Sequence, residues 1–75
     1  MPELPSFTYT KFVKKIKKAG FLFKRQAAGS HEIWFNLNTK RVVTIPHHTG
    51  KTFKKGTLLG MIKDTGLTKE EFLLL

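Results

Sequence analysis

From Tyr9 onward apolar residues return every three to four positions, as Tyr9, Phe12, Val13, Ile16 and Ala19, with lysines filling the intervals. This i, i+3, i+4, i+7, i+10 spacing draws one apolar stripe along a helix. Thr8 lies where an N-cap oxygen is wanted, and Gly20 lies where a left-handed residue ends a helix. The spacing therefore predicts a helix over about 9–19. Three strand-like runs rich in Phe, Ile, Val, Trp and Thr follow, at about 21–27, 31–37 and 41–46. Asn38-Thr39-Lys40 is short enough to join the second and third as an antiparallel hairpin, and Pro46 ends the third by removing a ladder donor. Within the second run, Ile33, Phe35 and Leu37 alternate with Glu32, Trp34 and Asn36. Alternation predicts the aliphatic set as core and leaves the side taken by Trp34 open.

Before the first helix, residues 1–7 carry two prolines and are expected to form an extended leader. After the strands, "HHTGKTFKK" at 47–55 is a basic loop. A second helix is expected from near Gly56 to Thr65, burying Leu58, Leu59, Ile62 and Met61, with Gly66 as its stop. Thr68 and Glu71 form a T-x-x-E capping box ahead of Phe72 and the terminal leucines, which predicts a short last helix. The resulting order is α-β-β-β-α plus a short C-terminal helix. It implies an α+β fold with a three-stranded antiparallel sheet and helices on one face. The 75 residues contain no repeat and no linker, so residues 1–75 are expected to be one domain.

Charge sharpens this picture. Lys and Arg number 14 against 5 Asp and Glu, a formal net charge of +9. No acid falls between Glu3 and Glu32, while Lys11, Lys14, Lys15, Lys17, Lys18, Lys24 and Arg25 all do. Such a one-signed field attracts phosphates or an acidic protein, although a lysine face can also serve solubility alone. The chain has no cysteine, which excludes a disulfide framework and a thiolate metal site. Met1-Pro2-Glu3-Leu4-Pro5 lacks the features of a signal peptide, and no apolar run approaches the roughly 18 residues that span a bilayer. A soluble, cytoplasmic protein without membrane contact is expected.

Lys51, Lys54 and Lys55 gather just ahead of Gly56 and Thr57, whose N–H groups open the second helix. A helix N-terminus favours an anion, and lysines there oppose the helix dipole unless an anion compensates them. This loop and the helix-1 lysines Lys11, Lys14, Lys15 and Lys18 are the two candidate phosphate-binding groups. With no thiol and no paired carboxylates, His31 is the catalytic candidate by elimination. RNA supplies its own nucleophile in the 2'-hydroxyl, so cleavage needs proton transfer and charge stabilisation. An imidazole, ordinarily titrating near about 6.5, suits the first of these. A lone histidine is more often structural than catalytic, and spacing alone leaves both roles open. His47 and His48 could suggest a metal, but adjacent residues point apart and no acid or thiol lies nearby to complete a site. No metal or cofactor is expected.

The element order and the lysines before helix 2 resemble the double-stranded RNA-binding domain, a likeness that implies contacts to phosphates and 2'-hydroxyls. A wider set of motifs is more specific. "KKAGF" at 17–21, "GSHEIW" at 29–34, "VTIPHH" at 43–48 and "GKTFKKGTLLGMIKDTGLTKEEF" at 50–72 resemble the HicA family of mRNA-interferase toxins, over nearly the whole chain after about residue 8. The Thr39-Lys40 turn is shorter than the Asp/Gly-rich turns of that family. The resemblance implies a fold like that of the double-stranded RNA-binding domain and places RNA cleavage on His31, presented by Gly29 and Ser30. His48 matches the histidine after the Pro-x step. It further implies a metal-independent endoribonuclease toxin of a type II toxin–antitoxin system, acting on mRNA and silenced by a HicB antitoxin. The net charge of the chain suits an acidic inhibitor. Two rivals use the same lysines: a non-catalytic RNA-binding module, and a protein-interaction domain for an acidic partner. Trp34, if it faces outward, is a candidate contact for the antitoxin.

Overall fold

The computed structural model describes residues 4–48 and 50–75. Its elements run α1 (Tyr9–Lys18), β1 (Phe21–Gln26), β2 (His31–Asn36), β3 (Val42–Pro46), α2 (Lys55–Thr65) and α3 (Lys69–Leu73). The expected α+β order is observed. Helix α1 begins where the Thr8 hydroxyl accepts from the Lys11 N–H at 3.4 Å, and it buries Phe12, Val13 and Ile16. Helix α2 stops at Gly66, whose φ of +82° is left-handed, and a Cβ there would collide with the Arg41 side chain. Helix α3 carries the full capping box between Thr68 and Glu71.

The strands form one antiparallel sheet in the order β1-β2-β3. Phe21 of β1, Trp34 of β2, and Val43 and Ile45 of β3 are buried against Phe12, Ile16, Leu58, Met61, Ile62 and Phe72 of the helices. The helices thus cover one face of the sheet and leave the other open.

Two expectations are corrected. In β2 the buried set is Glu32, Trp34 and Asn36, while Ile33 and Phe35 are half-buried on the open face and Leu37 is exposed. The polar members of the buried set can face inward because each is satisfied. Asn36 Nδ2 donates to Ala19 O at 3.0 Å, and its Oδ1 accepts from the N–H groups of Asn38 and Thr39. Trp34 is 3% exposed, so it belongs to the core and is removed as an antitoxin contact. In α2 the buried residues are Leu58, Met61, Ile62 and Thr65, an i, i+3, i+4, i+7 set. Leu59 falls about 100° out of that phase and is 39% exposed. The segment expected as a leader contributes Phe7, 5% exposed, whose ring meets Phe72 edge-on at 5.3 Å. Phe53 N–H donates to Phe7 O at 2.9 Å, which ties this segment to the loop before α2. Residues 1–3 of the expected leader lie outside the described residues.

Candidate active site

His31 is the first residue of β2 and emerges from a tight connection to β1. Gly29 supplies a φ of +66°, which an L side chain adopts at a cost. Ala27 N–H donates to His31 O at 2.8 Å and Gln26 Nε2 to the same oxygen at 3.0 Å. His47 N–H donates to Ser30 O at 2.9 Å, so β3 braces the turn from the far side. The sequence Gly29-Ser30 therefore serves as a held turn that delivers His31 to the strand end.

The imidazole of His31 is exposed, with Nδ1 3.1 Å from Ala28 O. A carbonyl oxygen only accepts, so Nδ1 carries the proton in this contact. In the neutral ring that leaves Nε2 with a free lone pair, the form a general base requires. His31 pairs across the ladder with Pro46 and alternates with Glu32, so it sits on the open face of the sheet.

The two lysine groups occupy different places. Lys51 and Lys54 line a groove with Pro46, His48 and Thr57, beside the ladder partner of His31. Lys54 is the N-cap of α2 and makes no side-chain cap bond, and no acid lies in the first turn. His48 thus joins the lysine groove rather than hydrogen-bonding His31. Lys11, Lys14, Lys15 and Lys18 lie along a second groove with Phe7 and Leu75, on the helical side of the sheet. Lys15 is already engaged there, because its ammonium donates to Leu73 O and Leu75 O, both at 3.1 Å. It satisfies carbonyls left over at the end of α3.

A cluster that sequence reasoning missed lies beneath the His31 end of the sheet. Glu32, buried on the helical face, accepts at Oε1 from Tyr9 Oη at 2.6 Å and Trp34 Nε1 at 3.0 Å. Its Oε2 lies 3.2 Å from His47 Nδ1. The His47 ring stacks on Tyr9 with centroids 3.7 Å apart and 13° between planes. An acid does therefore meet His47, contrary to the expectation from sequence, because β2 and β3 pair Glu32 with Ile45 and bring residue 47 alongside. The sequence held one signal for it: Glu32 and Asn36 share their strand phase with the only tryptophan.

A family model described as the HicA toxin of bacterial toxin-antitoxin systems matches residues 9–67, a stretch that holds α1, all three strands and α2. The chain belongs to the HicA toxin family. No curated protein matches it significantly. As a HicA toxin it is the toxin member of a toxin–antitoxin system. No helix among the described residues is long and apolar enough to cross a membrane.

The buried cluster makes the stability of this HicA chain pH-dependent at both ends. Burial alone would raise the Glu32 carboxyl, but hydrogen bonds from Tyr9 and Trp34, with the charge and hydrogen bond of His47, hold it below its ordinary value. Burial first, then the hydrogen bond to Glu32 and its charge, push the Tyr9 phenol up to about 12. A lowered acid stabilises the fold above its unfolded pKa, and that contribution fades as pH falls through the carboxylate range. A raised phenol stabilises below about 10, and that contribution is lost as pH rises toward about 12. Trp34 is the single tryptophan and bonds Glu32 directly, so its fluorescence during pH titration should report both losses. A Tyr9→Phe variant should abolish the alkaline change, and its persistence would assign that change elsewhere.

Proposed function

We propose that the chain is a metal-independent endoribonuclease toxin in which His31 activates the 2'-hydroxyl of RNA. The observation that carries this reading is the His31 ring, exposed at the strand end, with Nδ1 committed to Ala28 O and Nε2 left to accept a proton. In the reaction Nε2 takes the 2'-hydroxyl proton while the 2'-oxygen bonds to the adjacent phosphorus. The bond from phosphorus to the 5'-oxygen breaks, and that oxygen leaves as a hydroxyl with a proton from solvent. Charge growing on the phosphoryl oxygens is met by Lys51, Lys54 and Lys55, with the N–H groups at the start of α2. Gly29 and Ser30 position His31, and His48 positions the substrate from the groove. Lys11, Lys14 and Lys18 add to the field that draws in the polyanion. The partner is an acidic HicB-type antitoxin, which must cover His31 to silence the toxin. The setting is the cytoplasm.

Cleaved RNA should carry 2',3'-cyclic phosphate and 5'-hydroxyl ends, and EDTA should leave the rate unchanged. A strict requirement for a divalent ion would overturn the mechanism. Binding should weaken steeply with salt. For a single strand, neutralising Lys54 and Lys55 together should lower the log–log salt slope by roughly 0.7 for each phosphate that they pair with. A slope indifferent to that double variant would exclude the loop from the interface.

A further inference from the structure

The proposed cleavage leaves the path of the RNA chain undetermined, and an irregularity in β1 bears on it. β1 pairs with β2 regularly from Phe21↔Asn36 to Phe23↔Trp34, then slips so that Arg25 opposes Ile33. The bulge leaves Lys24 out of register, with its ammonium over the Phe35 ring, 5.0 Å from the centroid. Ladder partners share a face, so Arg25 stands on the side of Ile33, Phe35 and His31. Strict alternation would have sent Lys24 and Arg25 to opposite faces. The extra residue instead sets two successive cations on the face that carries His31.

That face is also apolar. Leu22 and Val42 flank Phe35 as its ladder partners and are 59% and 45% exposed. No residue that the register places there is acidic. At its other end, His31 pairs with Pro46, which lines the groove holding His48, Lys51 and Lys54. Groove and sheet face therefore adjoin at Pro46, beside His31.

We propose that the substrate is single-stranded RNA running from the groove before α2, past His31, onto the open sheet face. There Lys24 and Arg25 hold its phosphates, and the Phe35 ring with Leu22 and Val42 supports its bases. This rests on the ribonuclease reading. Unpaired bases can lie against an aromatic sheet surface, whereas duplex bases are already stacked within their own helix. The apolar face thereby selects for single strands, and the separate lysine groove behind α1 lies off this path.

The test uses the full chain carrying His31→Ala, with an unstructured oligouridine bearing one 5-iodouridine, and a hairpin duplex for comparison. The oligouridine should bind more tightly than the duplex, and irradiation should cross-link it to the peptide that contains Phe35. Lys24→Gln with Arg25→Gln should weaken single-strand binding by about tenfold and lower the salt slope by roughly 1.4, the value for two phosphates. The charge-matched pair Lys63→Gln and Lys69→Gln should leave that slope in place. Phe35→Leu should remove the cross-link while the melting curve shows a folded protein. Cross-links confined to α1 peptides, or single-strand affinity indifferent to Lys24 and Arg25, would overturn the path. So would sheet-face variants that release the antitoxin but hold RNA as before, since they would mark a protein-docking surface. Because binding is read on the His31→Ala chain, the path is tested independently of cleavage. Failure of the unaltered chain to cleave would count against the ribonuclease reading alone.

Discussion

Replacing His31 by alanine should lower RNA cleavage by about 10²–10⁴-fold, the usual cost of removing a general acid–base group. Stability and RNA affinity should change little. The ring is exposed, and its one hydrogen bond goes to Ala28 O, which the His31 N–H also approaches at 3.4 Å. His31→Asn separates placement from proton transfer. An asparagine amide can donate to Ala28 O but cannot accept a proton as imidazole does. Cleavage should therefore stay as low in His31→Asn as in His31→Ala. Recovery in the asparagine variant would make His31 a positioning residue, and full activity in a folded alanine variant would remove it from the chemistry. A non-catalytic RNA-binding module would show the same RNA affinity in all three chains and no cleavage in any of them.

The elements of this fold were readable because their signals are local. Thr8, Gly20, Gly66 and the Thr68–Glu71 box each act within a few residues, and the apolar stripe of α1 needs only the helical period. Which face of β2 turns inward was not local. Its answer depends on Tyr9, 23 residues earlier, and on His47, 15 residues later, both meeting Glu32. Without those partners a buried glutamate is costly, so alternation favoured the aliphatic residues. Asn36 misled for the same reason, since its amide is satisfied partly by Ala19 O from the end of α1. The site divides similarly. His31 and the turn that delivers it were visible as Gly-Ser-His, whereas the division of the lysines between two grooves emerged only from the packing. The bulge at Lys24 left no mark in the sequence, because a cation pair after an aromatic run looks like any solvated strand edge.

Glu32 offers the largest expected effect on stability. Truncation to alanine removes the acceptor for Tyr9 Oη and Trp34 Nε1 and the partner of His47. The Tyr9 and His47 groups can turn to water, since neither residue is buried. The Trp34 N–H cannot, because its residue is 3% exposed and the indole is packed beneath the sheet. An orphaned buried donor costs about 1–3 kcal/mol, and the missing packing of the side chain adds to it. A total of about 2–4 kcal/mol follows, a large fraction of what so small a domain holds. At about 4–8 °C per kcal/mol for a chain of this size, the melting temperature should fall by at least about 8 °C. Glu32→Gln should lose less, because its amide oxygen can still accept from Tyr9 and Trp34, while toward the exposed His47 a donating amide nitrogen replaces the charged acceptor oxygen. The two variants together distinguish hydrogen-bond satisfaction from charge. Equal losses in both would make the ionised carboxylate the source of the stability, and a melting point within a few degrees of the parent in Glu32→Ala would show that the cluster contributes little. The same cluster underlies the turn at Ser30 and His31, since His47 joins Glu32 through its ring and Ser30 through its backbone N–H. Glu32→Ala should therefore also reduce cleavage at temperatures where the chain remains folded, through misplacement of His31 rather than loss of its proton-accepting nitrogen.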